Sequence, residues 1–520
     1  MKFFSIKANY YTLLTLILLS LWMTATSGAV EPSPAMASCP IREVVPDLNA
    51  IRKWHDSNGD TADPFWADDD GLYTFMCDGR GFGKDNKNLN FNRLGNGDWA
   101  GLIGSPVNPM SDYGKNNQKG PDHATWKVTG QECIDGVFYA FVSRNVYGNE
   151  NKGDPLMRQS SFNASLIKST DRGFTWTRSA DENYKSPHWP GTRFGAPGFF
   201  HYGKNGGMVT QDDANKYVYA ISNNGFWNGG DDMILARIER AKLPHLQASD
   251  WTYYAGQPSA WVSSLDQAVP VLSRPAKLGW TSPTYVPTLQ RYLLVSWYVT
   301  PTLKKWFEPN EVIYDFFEAP HPWGPWTQVP SSLSDRFITD GHMYGPNVTA
   351  KFQVVGPDCV RVKLFTSGCG FEDKPSGLYK MWCIPLLLKT QPQPTSRIIN
   401  DNDPSIVYHG AWSSVPKPKP HYQDGDVHAT QDKGDSLELT FEGTGIDVLS
   451  EKFHDLGEME VFLDGTSRGT VNLALKNFPR LAGIAVFSIR DLALGKHTVR
   501  LVNRRSTWVV VDAFRIYGHP

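Results

Sequence analysis

Residues 136–141, Gly-Val-Phe-Tyr-Ala-Phe, follow an Asp-containing turn and combine a β-branched residue with aromatic side chains. This composition is typical of a β-strand. Four more runs of this kind start about 65 to 80 residues apart along the chain, at residues 71–75 (GLYTF), 216–221 (KYVYAI), 291–295 (RYLLV) and 360–365 (VRVKLF). A repeat with strands in every unit indicates blades around an axis. The sequence therefore predicts an all-β protein that begins with a five-bladed β-propeller over residues 39–388.

The length of the repeat predicts long loops. A blade of four strands needs about 40 to 50 residues, whereas the five units between residues 55 and 388 contain roughly 65 to 70 each. Loops at the axial entrance of a propeller shape a cleft. Polar residues on such loops are therefore the first candidates for a functional site.

A second domain is predicted after the propeller. Residues 389–404 are polar and contain proline, so we place a linker there. Downstream, Leu437, Leu439 and Phe441 alternate with polar residues, and Asp464-Gly465 marks a turn. Short strands without a helical period over residues 405–520 predict a β-sandwich.

Composition restricts the partner. The net charge is −2, with 51 basic and 53 acidic residues, which gives no reason to expect nucleic acid or an anionic membrane as a partner. Aromatic residues make up 13% of the chain and include 18 Trp. Because aromatic faces can hold a neutral partner, we expect a polysaccharide or oligosaccharide as the ligand. We also expect the protein to be a monomer.

The N-terminus predicts secretion. Lys2 and Lys7 precede an apolar core at residues 13–22, and small residues follow, so residues 1–29 are read as a signal peptide of an extracellular protein. A signal anchor is the alternative. Secretion permits disulfides, whose pairing the sequence leaves open, among Cys39, Cys77, Cys133, Cys359, Cys369 and Cys383. Sequons at Asn163 and Asn347 are compatible with glycosylation.

Residues 169–176, Ser-Thr-Asp-Arg-Gly-Phe-Thr-Trp, match the Asp-box pattern S-x-D-x-G-x-x-W of sialidase-like propellers. In such a box the carboxylate holds turn amides, Gly permits the turn and Trp packs beneath it. The motif predicts a folding element on the rim and supports the presence of blades.

Two resemblances to known families rest on longer phrases. The phrases upstream are Asn58-Gly59-Asp60-Thr61, Trp66 to Thr74, Asp78-Gly79, Ile234 to Ile238, Trp251 to Gly256 with Trp261, and Pro322 to Thr327. Together they resemble a secreted, five-bladed glycosidase-like family, formerly a domain of unknown function, some of whose members are endo-D-arabinanases. The C-terminal segment resembles the galactose-binding-like jelly-roll modules of carbohydrate-active enzymes, through Tyr408 to Trp412, Gly434 to Leu437, Phe441 to Gly445, Val461 to Gly465, Gly495 to Thr498 and Val511 to Phe514. These resemblances imply a glycoside hydrolase, with arabinan as one substrate type, followed by a carbohydrate-binding-like module.

The geometry of a propeller predicts which acidic residues lie at its entrance and which lie in turns on the opposite face. The innermost strand of a blade runs from the entrance, so groups before first strands and after second strands face the mouth. The acids just before second strands, Asp68 to Asp70, Asp135 and Asp212-Asp213, are read as structural turn residues. The groups expected at the mouth include Asp60, Asp63, Asp78, Asp122, His123, Arg144, Asn145, His188, Trp189, Arg193, Asn223, Asn224, Trp280, Thr281, Thr284, Asp340, His342 and Tyr344.

Glycoside hydrolysis requires two carboxyl groups across the scissile bond, one of them protonated near neutral pH. Asp60 and Asp122 are the first predicted pair, and Asp340 and Asp78 are the reserves. The residues predicted to bind sugar are Trp66, Trp189, Trp227, Trp280, Asn145 and Asn223, although each Trp is also a core candidate.

Two other functions stay open. A polysaccharide lyase needs a His or Tyr base and a cation that neutralises a uronate carboxylate, and candidates for these roles are His123, His342, Tyr344 and Arg193. A non-catalytic glycan-binding protein is the third interpretation. No cofactor is expected to be required, since nucleotide, phosphate-loop and HExxH motifs are absent from the sequence. A structural Ca²⁺ is left open and the identity of any metal is unknown.

Overall fold

Strands dominate the computed structural model, which describes residues 41–47, 50–146, 159–207, 216–256, 261–299, 312–331, 333, 342–355, 359–369, 380–390, 396–417, 422–475, 480–490 and 492–518. The protein is all-β, as predicted. The described α-helix is α1, Ala180–Lys185. The 3₁₀ turns are Ser111–Tyr113, Lys204–Gly206, Arg240–His245, Ala248–Asp250, Leu265–Gln267 and Gln423–Gly425.

The first part of the chain forms 23 described strands. They are β1 (Glu43–Pro46), β2 (Arg52–Trp54), β3 (Asn58–Asp60), β4 (Phe65–Trp66), β5 (Leu72–Gly81), β6 (Lys87–Gly95), β7 (Ser105–Asn108), β8 (Thr125–Ile134), β9 (Val137–Val146), β10 (Ser160–Ser169), β11 (Ala196–Phe199), β12 (Tyr217–Asn223), β13 (Gly230–Glu239), β14 (Trp251–Tyr254), β15 (Trp261–Val262), β16 (Pro270–Leu278), β17 (Thr284–Val286), β18 (Arg291–Val299), β19 (Val312–Ala319), β20 (Thr327–Val329), β21 (His342–Val355), β22 (Cys359–Cys369) and β23 (Lys380–Lys389).

These strands form five antiparallel sheets, which we call sheets I to V. Sheet I has the order β3-β5-β6-β7 with β4 against β5; sheet II is β8-β9-β10; sheet III is β11-β12-β13-β14-β15 with β16 against β13; sheet IV is β17-β18-β19-β20; and sheet V is β21-β22-β23-β1 with β2 against β23. The five β-branched and aromatic runs that predict the blades form β5, β9, β12, β18 and β22. Each run is therefore the strand next to the first strand of its sheet.

Neighbouring sheets share hydrophobic cores. One core joins Phe75 of sheet I to Phe138 of sheet II. Corresponding cores join sheet II to III through Phe141 and Phe199, sheet III to IV through Tyr219 and Tyr292, and sheet V to I through Phe365 and Leu72. Sheets IV and V meet where the ring of Trp297 stacks on Tyr344 with centroids 5.5 Å apart. Each sheet is thus packed against the next, and the last is packed against the first.

The C-terminal part forms separate sheets. Its strands are β24 (Ser396–Asn400), β25 (Ile406–His409), β26 (Ser413–Pro416), β27 (Asp426–Thr430), β28 (Ser436–Gly443), β29 (Gly445–Lys452), β30 (Glu458–Leu463), β31 (Thr466–Asn472), β32 (Leu481–Ile489), β33 (Gly495–Asn503), β34 (Val509–Val511) and β35 (Ala513–Tyr517). Their sheet orders are β24-β35-β29-β32, β25-β28-β33-β30-β31 and β26-β27-β34. None of these sheets includes a described strand from the first part.

The predicted alternation in this part is confirmed. Leu437, Leu439 and Phe441 are buried in one core, while Thr440 between them is exposed. Asp464 and Gly465 both have positive φ in the turn between β30 and β31. Residues 396–400, which the sequence analysis assigns to the linker, instead form β24 and pair with β35, because the β-branched Ile398 and Ile399 extend the sheet.

The described cysteines are free thiols. They are Cys77, Cys133, Cys359 and Cys383, and all four are buried. Burial raises the pKa of Cys77 and Cys133 to about 12, so these thiols are unreactive at neutral pH. The predicted disulfides find no support among these four residues; Cys39 and the side chain of Cys369 lie outside the description.

The two sequons differ in exposure. Asn163 is half-buried in a bulge of β10, and its side-chain oxygen accepts a hydrogen bond from the amide of Gly191 at 2.9 Å. Asn347 is buried; its oxygen accepts from the amide of Ser282 at 2.9 Å and its nitrogen donates to the carbonyl of Gly345 at 3.3 Å. A glycan at Asn347 is therefore incompatible with this fold.

Residues 169–176 form a tight turn at the end of β10. The carboxylate of Asp171 accepts a hydrogen bond from the amide of Thr175 at 2.9 Å, and the indole of Trp176 donates to the carbonyl of Gly173 at 3.1 Å. The Trp176 ring lies 5.1 Å from that of Phe75. Arg172 reaches the carboxylate of Asp68 at 2.8 Å, so the turn ties sheet II to sheet I. No described helix combines the length and the apolar character that a membrane span needs.

Candidate active site

Strand β3 brings Asp60 against β5. Gly59 has a φ of +144°, and a Cβ at this position would lie 2.8 Å from the carbonyl oxygen of Cys77. Only glycine permits so close an approach of the two backbones. As a result Asp60 is paired in register with Cys77, beside Asp78.

Asp60, Asp78, Lys127 and Tyr344 form a buried group that we call the Asp60 cluster. The ammonium of Lys127 donates to Oδ2 of Asp78 and lies 3.6 Å from Oδ2 of Asp60. The hydroxyl of Tyr344 donates to the same Asp60 oxygen at 2.6 Å. Strands β3, β5, β8 and β21 of three sheets therefore contribute one polar side chain each to this cluster.

The neighbours of Asp60 have opposing effects on the pKa of its carboxyl group. Burial raises the pKa of Asp60, and the carboxylate of Asp78 raises it further, although Lys127 and the Tyr344 hydrogen bond act in the opposite direction. Oδ1 of Asp60 is buried and makes no hydrogen bond within the described residues. Such an oxygen is costly unless water or a ligand meets it. Asp60 is thus a buried carboxyl group with one oxygen held in place and the other without a partner among the described residues, and burial favours its protonated form.

A second buried network lies beside the first. The imidazole of His201 contacts Oδ1 of Asp63 and Oε2 of Glu132, each at 2.8 Å. The hydroxyl of Ser282 donates to Oδ2 of Asp63 at 2.7 Å, and the Ser282 amide donates to Asn347. Burial alone would lower the pKa of His201, but the two carboxylates raise it to about 10, so the ring is charged at neutral pH. We call these five residues the five-sheet network, because each belongs to a different sheet or to the loop beside it.

Asp122 does not join the Asp60 cluster through any contact between described residues. Both of its oxygens accept from the guanidinium of Arg144, at 2.9 and 2.7 Å. Burial would raise the pKa of Asp122, but the hydrogen bonds and charge of Arg144 outweigh it and lower the pKa. The pair Asp60 and Asp122 therefore stays a sequence prediction without a supporting contact, whereas Asp78, the predicted reserve, lies in the cluster.

The residues proposed for a lyase are dispersed over different environments. His123 is exposed with a φ of 60°, and the exposed Arg193 donates to the backbone carbonyls of Leu265 and Ala268 at 3.0 and 2.7 Å. Tyr344 contacts Asp60 instead. Asp340 and the side chain of His342 lie outside the described residues.

The four tryptophans predicted to bind sugar have packing roles in the structure. Trp189 is buried and its indole donates to the hydroxyl of Tyr253 at 2.7 Å. Trp227 and Trp280 are buried and stack in parallel with centroids 5.3 Å apart. The half-buried Trp66 donates to Asp70 at 2.8 Å. The Trp227 ring nevertheless borders the Asp60 cluster, since its centroid lies 5.7 Å from the nitrogen of Lys127.

The two predicted asparagines have different roles. Asn223 holds the loop after β12 in place. Its side-chain nitrogen donates to the carbonyls of Phe226 and Leu278, and its side-chain oxygen accepts from the amide of Phe226. Asn145 is fully buried at the end of β9, and neither its amide oxygen nor its nitrogen has a hydrogen-bond partner within the described residues. Asn145 thus keeps the unused hydrogen-bonding capacity that a ligand contact requires.

Sequence reasoning missed Lys127, Glu132 and His201. Lys127 could have been noticed as a lysine inside the strand Thr125 to Ile134, where a buried charge needs a partner. Its partners are 49 and 67 positions away in the chain, so no local pattern identifies them. Within the described residues, no group of three or more His, Cys, Asp or Glu side chains could hold a metal ion.

Sequence similarity to curated proteins covers only small parts of those relatives. No family model matches the chain. A 112-residue stretch is 35% identical to an A type blood N-acetyl-α-D-galactosamine deacetylase of Flavonifractor plautii, covering 22% of this chain and 14% of that protein. A 116-residue stretch is 27% identical to an A type blood α-D-galactosamine galactosaminidase of the same organism, covering 22% and 10%. The chain therefore spans a small part of the length of these curated relatives, both of which are named as carbohydrate-processing enzymes.

Solved structures give weaker similarities. An exo-β-1,3-galactanase from Phanerochaete chrysosporium superposes with a TM-score of 0.35 and 12% identity, covering 88% of this chain and 96% of that one. A CBM36-1 domain of a xylanase from the hindgut metagenome of Trinervitermes trinervoides superposes with a TM-score of 0.18 and 16% identity, covering 24% and 99%. Superpositions at these TM-scores do not identify a shared fold.

Proposed function

We propose that this protein is a secreted glycoside hydrolase, with a five-bladed β-propeller followed by a carbohydrate-binding-like jelly roll. The observation that carries the proposal is the Asp60 carboxyl group, which is buried, held through Oδ2 and without a hydrogen-bond partner at Oδ1 among the described residues. A general acid of a glycosidase needs this combination of a raised pKa and a free oxygen. The names of the two carbohydrate-processing relatives support the same class of substrate.

The five-sheet network supports the propeller arrangement. Asp63, Glu132, His201, Ser282 and Asn347 come from sheets I to V in turn and form one chain of hydrogen bonds. Five sheets can each supply a residue to one small buried network if their first strands surround a common axis. The shared cores between successive sheets, and between the last and the first, point the same way.

In the proposed reaction Asp60 donates its proton to the glycosidic oxygen as the bond to the anomeric carbon breaks. Water then supplies the hydroxyl group that ends on the anomeric carbon and gives its proton to a second carboxyl group. Lys127 and Tyr344 hold the carboxyl group in position and stabilise the negative charge that remains on Oδ2. Asp78 binds Lys127 and so keeps the ammonium from neutralising Asp60 fully. The second carboxyl group stays a sequence prediction. Asp122 is the first predicted partner and pairs with Arg144, whereas Asp340, one of the two reserves, lies outside the described residues, two positions before the strand that carries Tyr344.

The substrates to test first follow from the relatives and from the sequence resemblance. They are glycans that carry galactosamine or N-acetylgalactosamine, together with arabinan-like polysaccharides. A lyase is less well supported, because Arg193 already donates to two backbone carbonyls and His123 is exposed.

The test is the substitution Asp60→Asn, which keeps the shape of the side chain and removes the acid. We expect the rate of reducing-end release to fall by a factor of about 10² to 10⁴, with an unchanged circular dichroism spectrum. Asp68→Asn is the matched control, because Asp68 is a half-exposed carboxylate of the same sheet that pairs with Arg172. Full activity of Asp60→Asn would refute the proposed role, and release of unsaturated uronates by the unaltered protein would indicate a lyase.

A further inference from the structure

A cleft of about 340 Å³ opens beside Arg144, and neither the predicted chemistry nor the relatives account for it. Its wall combines Arg144 with the aromatic residues Tyr113, Trp126 and Tyr184, and the rim includes Asp112 and Lys119. A pocket with aromatic walls and a few fixed polar groups is typical of a small-molecule site. We call it the Arg144 cleft.

The polar wall of the Arg144 cleft is rigid. The guanidinium is almost fully buried and is held by both oxygens of Asp122 and by the carbonyl of Ala124 at 2.6 Å. Its carbon lies 4.3 Å from the ring centroid of Trp126 and 5.4 Å from that of Tyr184. These contacts use Nε and Nη2. Nη1 has no hydrogen-bond partner within the described residues and remains available as a donor to a ligand.

The opposite wall is held in place as well. The amide of Ala180 donates to Oδ2 of Asp112 at 3.2 Å, and Asn183 donates to the hydroxyl of Tyr113 at 3.0 Å. Helix α1, which carries the half-buried Tyr184, is thereby fixed to the loop before β8. A ligand entering the cleft would not have to order it, which favours affinity.

The charges of the Arg144 cleft indicate an uncharged ligand. Asp122 neutralises Arg144, and Asp181 pairs with Lys185 at 2.7 Å. The remaining charges of the rim are one acid, Asp112, and one base, Lys119. The cleft thus offers hydrogen-bond donors and acceptors without an excess of either charge, beside an aromatic ring. This combination suits a sugar, because its hydroxyls donate and accept hydrogen bonds and its C–H face packs on an aromatic side chain.

The loop that lines the cleft also contacts the strand that carries Asp78. Asn116, in the loop that lines the cleft, donates from its side chain to the backbone carbonyl of Asp78 at 3.3 Å. Trp126 lines the cleft, whereas the next residue of β8, Lys127, belongs to the Asp60 cluster. Successive side chains of a strand point to opposite faces, so the cleft and the cluster are linked through the backbone of β8.

We propose that the Arg144 cleft is a subsite that binds one uncharged sugar residue of the substrate. This inference rests on the proposed glycoside hydrolase function. Tyr184 supplies the ring on which the sugar packs, and Nη1 of Arg144 donates to one of its hydroxyls. The protein should therefore prefer neutral oligosaccharides to uronate-containing ones.

The experiment measures binding and turnover separately. Binding to the full-length Asp60→Asn variant is measured by calorimetry with neutral arabino-oligosaccharides, N-acetylgalactosamine-containing oligosaccharides and oligogalacturonates. We expect a neutral oligosaccharide to bind, and the further change Tyr184→Ala to weaken it about tenfold, whereas Tyr184→Phe keeps the ring and the affinity. The matched control is Tyr217→Ala, because Tyr217 is a half-buried tyrosine whose ring lies 4.0 Å from the guanidinium of Arg237 in sheet III.

Several outcomes overturn the inference. They are unchanged affinity in Tyr184→Ala, preference for oligogalacturonate, or no binding of any neutral oligosaccharide. If Tyr184→Ala does not fold, Tyr184→Leu, which also removes the aromatic ring, replaces it, and unchanged affinity there has the same meaning. Turnover, measured with Asp60 intact, distinguishes the two proposals. Hydrolysis that is unchanged by Tyr184→Ala refutes only the subsite. Binding that depends on Tyr184, without any hydrolysis, supports the cleft and refutes the proposed reaction.

Discussion

The protonation of Asp60 depends on two neighbours with opposite charges. Lys127 lowers the pKa of Asp60 and Asp78 raises it, while burial is the largest influence and raises it. A general acid is active only while it is protonated, so activity should fall as the pH rises through the pKa of Asp60. Removing either neighbour should therefore shift the pH at which activity is lost.

We predict that Lys127→Met and Asp78→Asn shift the alkaline limb of the pH–rate profile in opposite directions. Loss of the ammonium raises the pKa of Asp60 and moves the limb to higher pH; loss of the carboxylate lowers the pKa and moves it to lower pH. The measurement is the rate of reducing-end release as a function of pH for both variants. Shifts in the same direction would contradict the assignment of this limb to Asp60.

His201 should make stability depend on alkaline pH. Its pKa is about 10 in the folded protein and 6.5 in its ordinary state, so folding favours the charged ring. The stabilisation is complete below pH 6.5 and is lost as the pH rises towards 10. We predict a falling midpoint of thermal unfolding over this range. In His201→Gln this decline should be absent, and at pH 7 the variant should be less stable by about 3–5 kcal/mol, because Asp63 and Glu132 lose their buried partner.

Among the elements, the turn at residues 169–176 links two sheets without touching the Asp60 cluster. Asp171 accepts from the amide and from the hydroxyl of Thr175, at 2.9 and 2.6 Å. We predict that Asp171→Ala lowers the free energy of unfolding by about 1 kcal/mol, as measured in urea, and leaves turnover unchanged. Glu438→Ala, which removes a surface partner of Arg500 at 3.4 Å, is the control and should change stability by less than about 0.5 kcal/mol. A loss of activity in Asp171→Ala would place this turn in the site.

For the whole molecule, the sheets before and after residue 390 share no described strand, and the C-terminal core contains only residues from 399 to 516. The two parts meet near Glu43, whose pKa is raised by burial and by Asp447. We predict that a chain ending at Thr390 folds and cleaves short soluble substrates at about the rate of the full protein, but is retained less by insoluble polysaccharide. Failure of this shortened chain to fold would contradict two independent domains. Secretion and the monomeric state remain predictions, to be checked by N-terminal sequencing of exported protein and by light scattering.

Strands and turns were the predictable part of the fold. The five runs at residues 71, 136, 216, 291 and 360 form strands because β-branched and aromatic side chains favour an extended backbone wherever they occur. Asp135 and Gly136 both have positive φ in the turn between β8 and β9, as expected from that residue pair. Such signals depend on neighbours within a few residues, and one chain is enough to read them.

The candidate site was predictable only in part. Asp60, Asp78 and Tyr344 were proposed from their positions next to first and second strands, and they do meet. Asp122 was proposed by the same reasoning, but its carboxylate is engaged by Arg144, which lies 22 positions further on. A position near a strand end indicates which face a residue is on, but it does not reveal which charged side chain will reach it first.

The amino-acid pattern was sufficient for the all-β class, the alternation of the C-terminal strands and the turn residues, because these follow from short-range steric and hydrophobic preferences. The pairing of Lys127 with Asp78 and Asp60, and of His201 with Asp63 and Glu132, required the folded chain. These groups lie between 49 and 138 positions apart, and their pKa shifts arise from burial and from charges that only the packing of several sheets brings together.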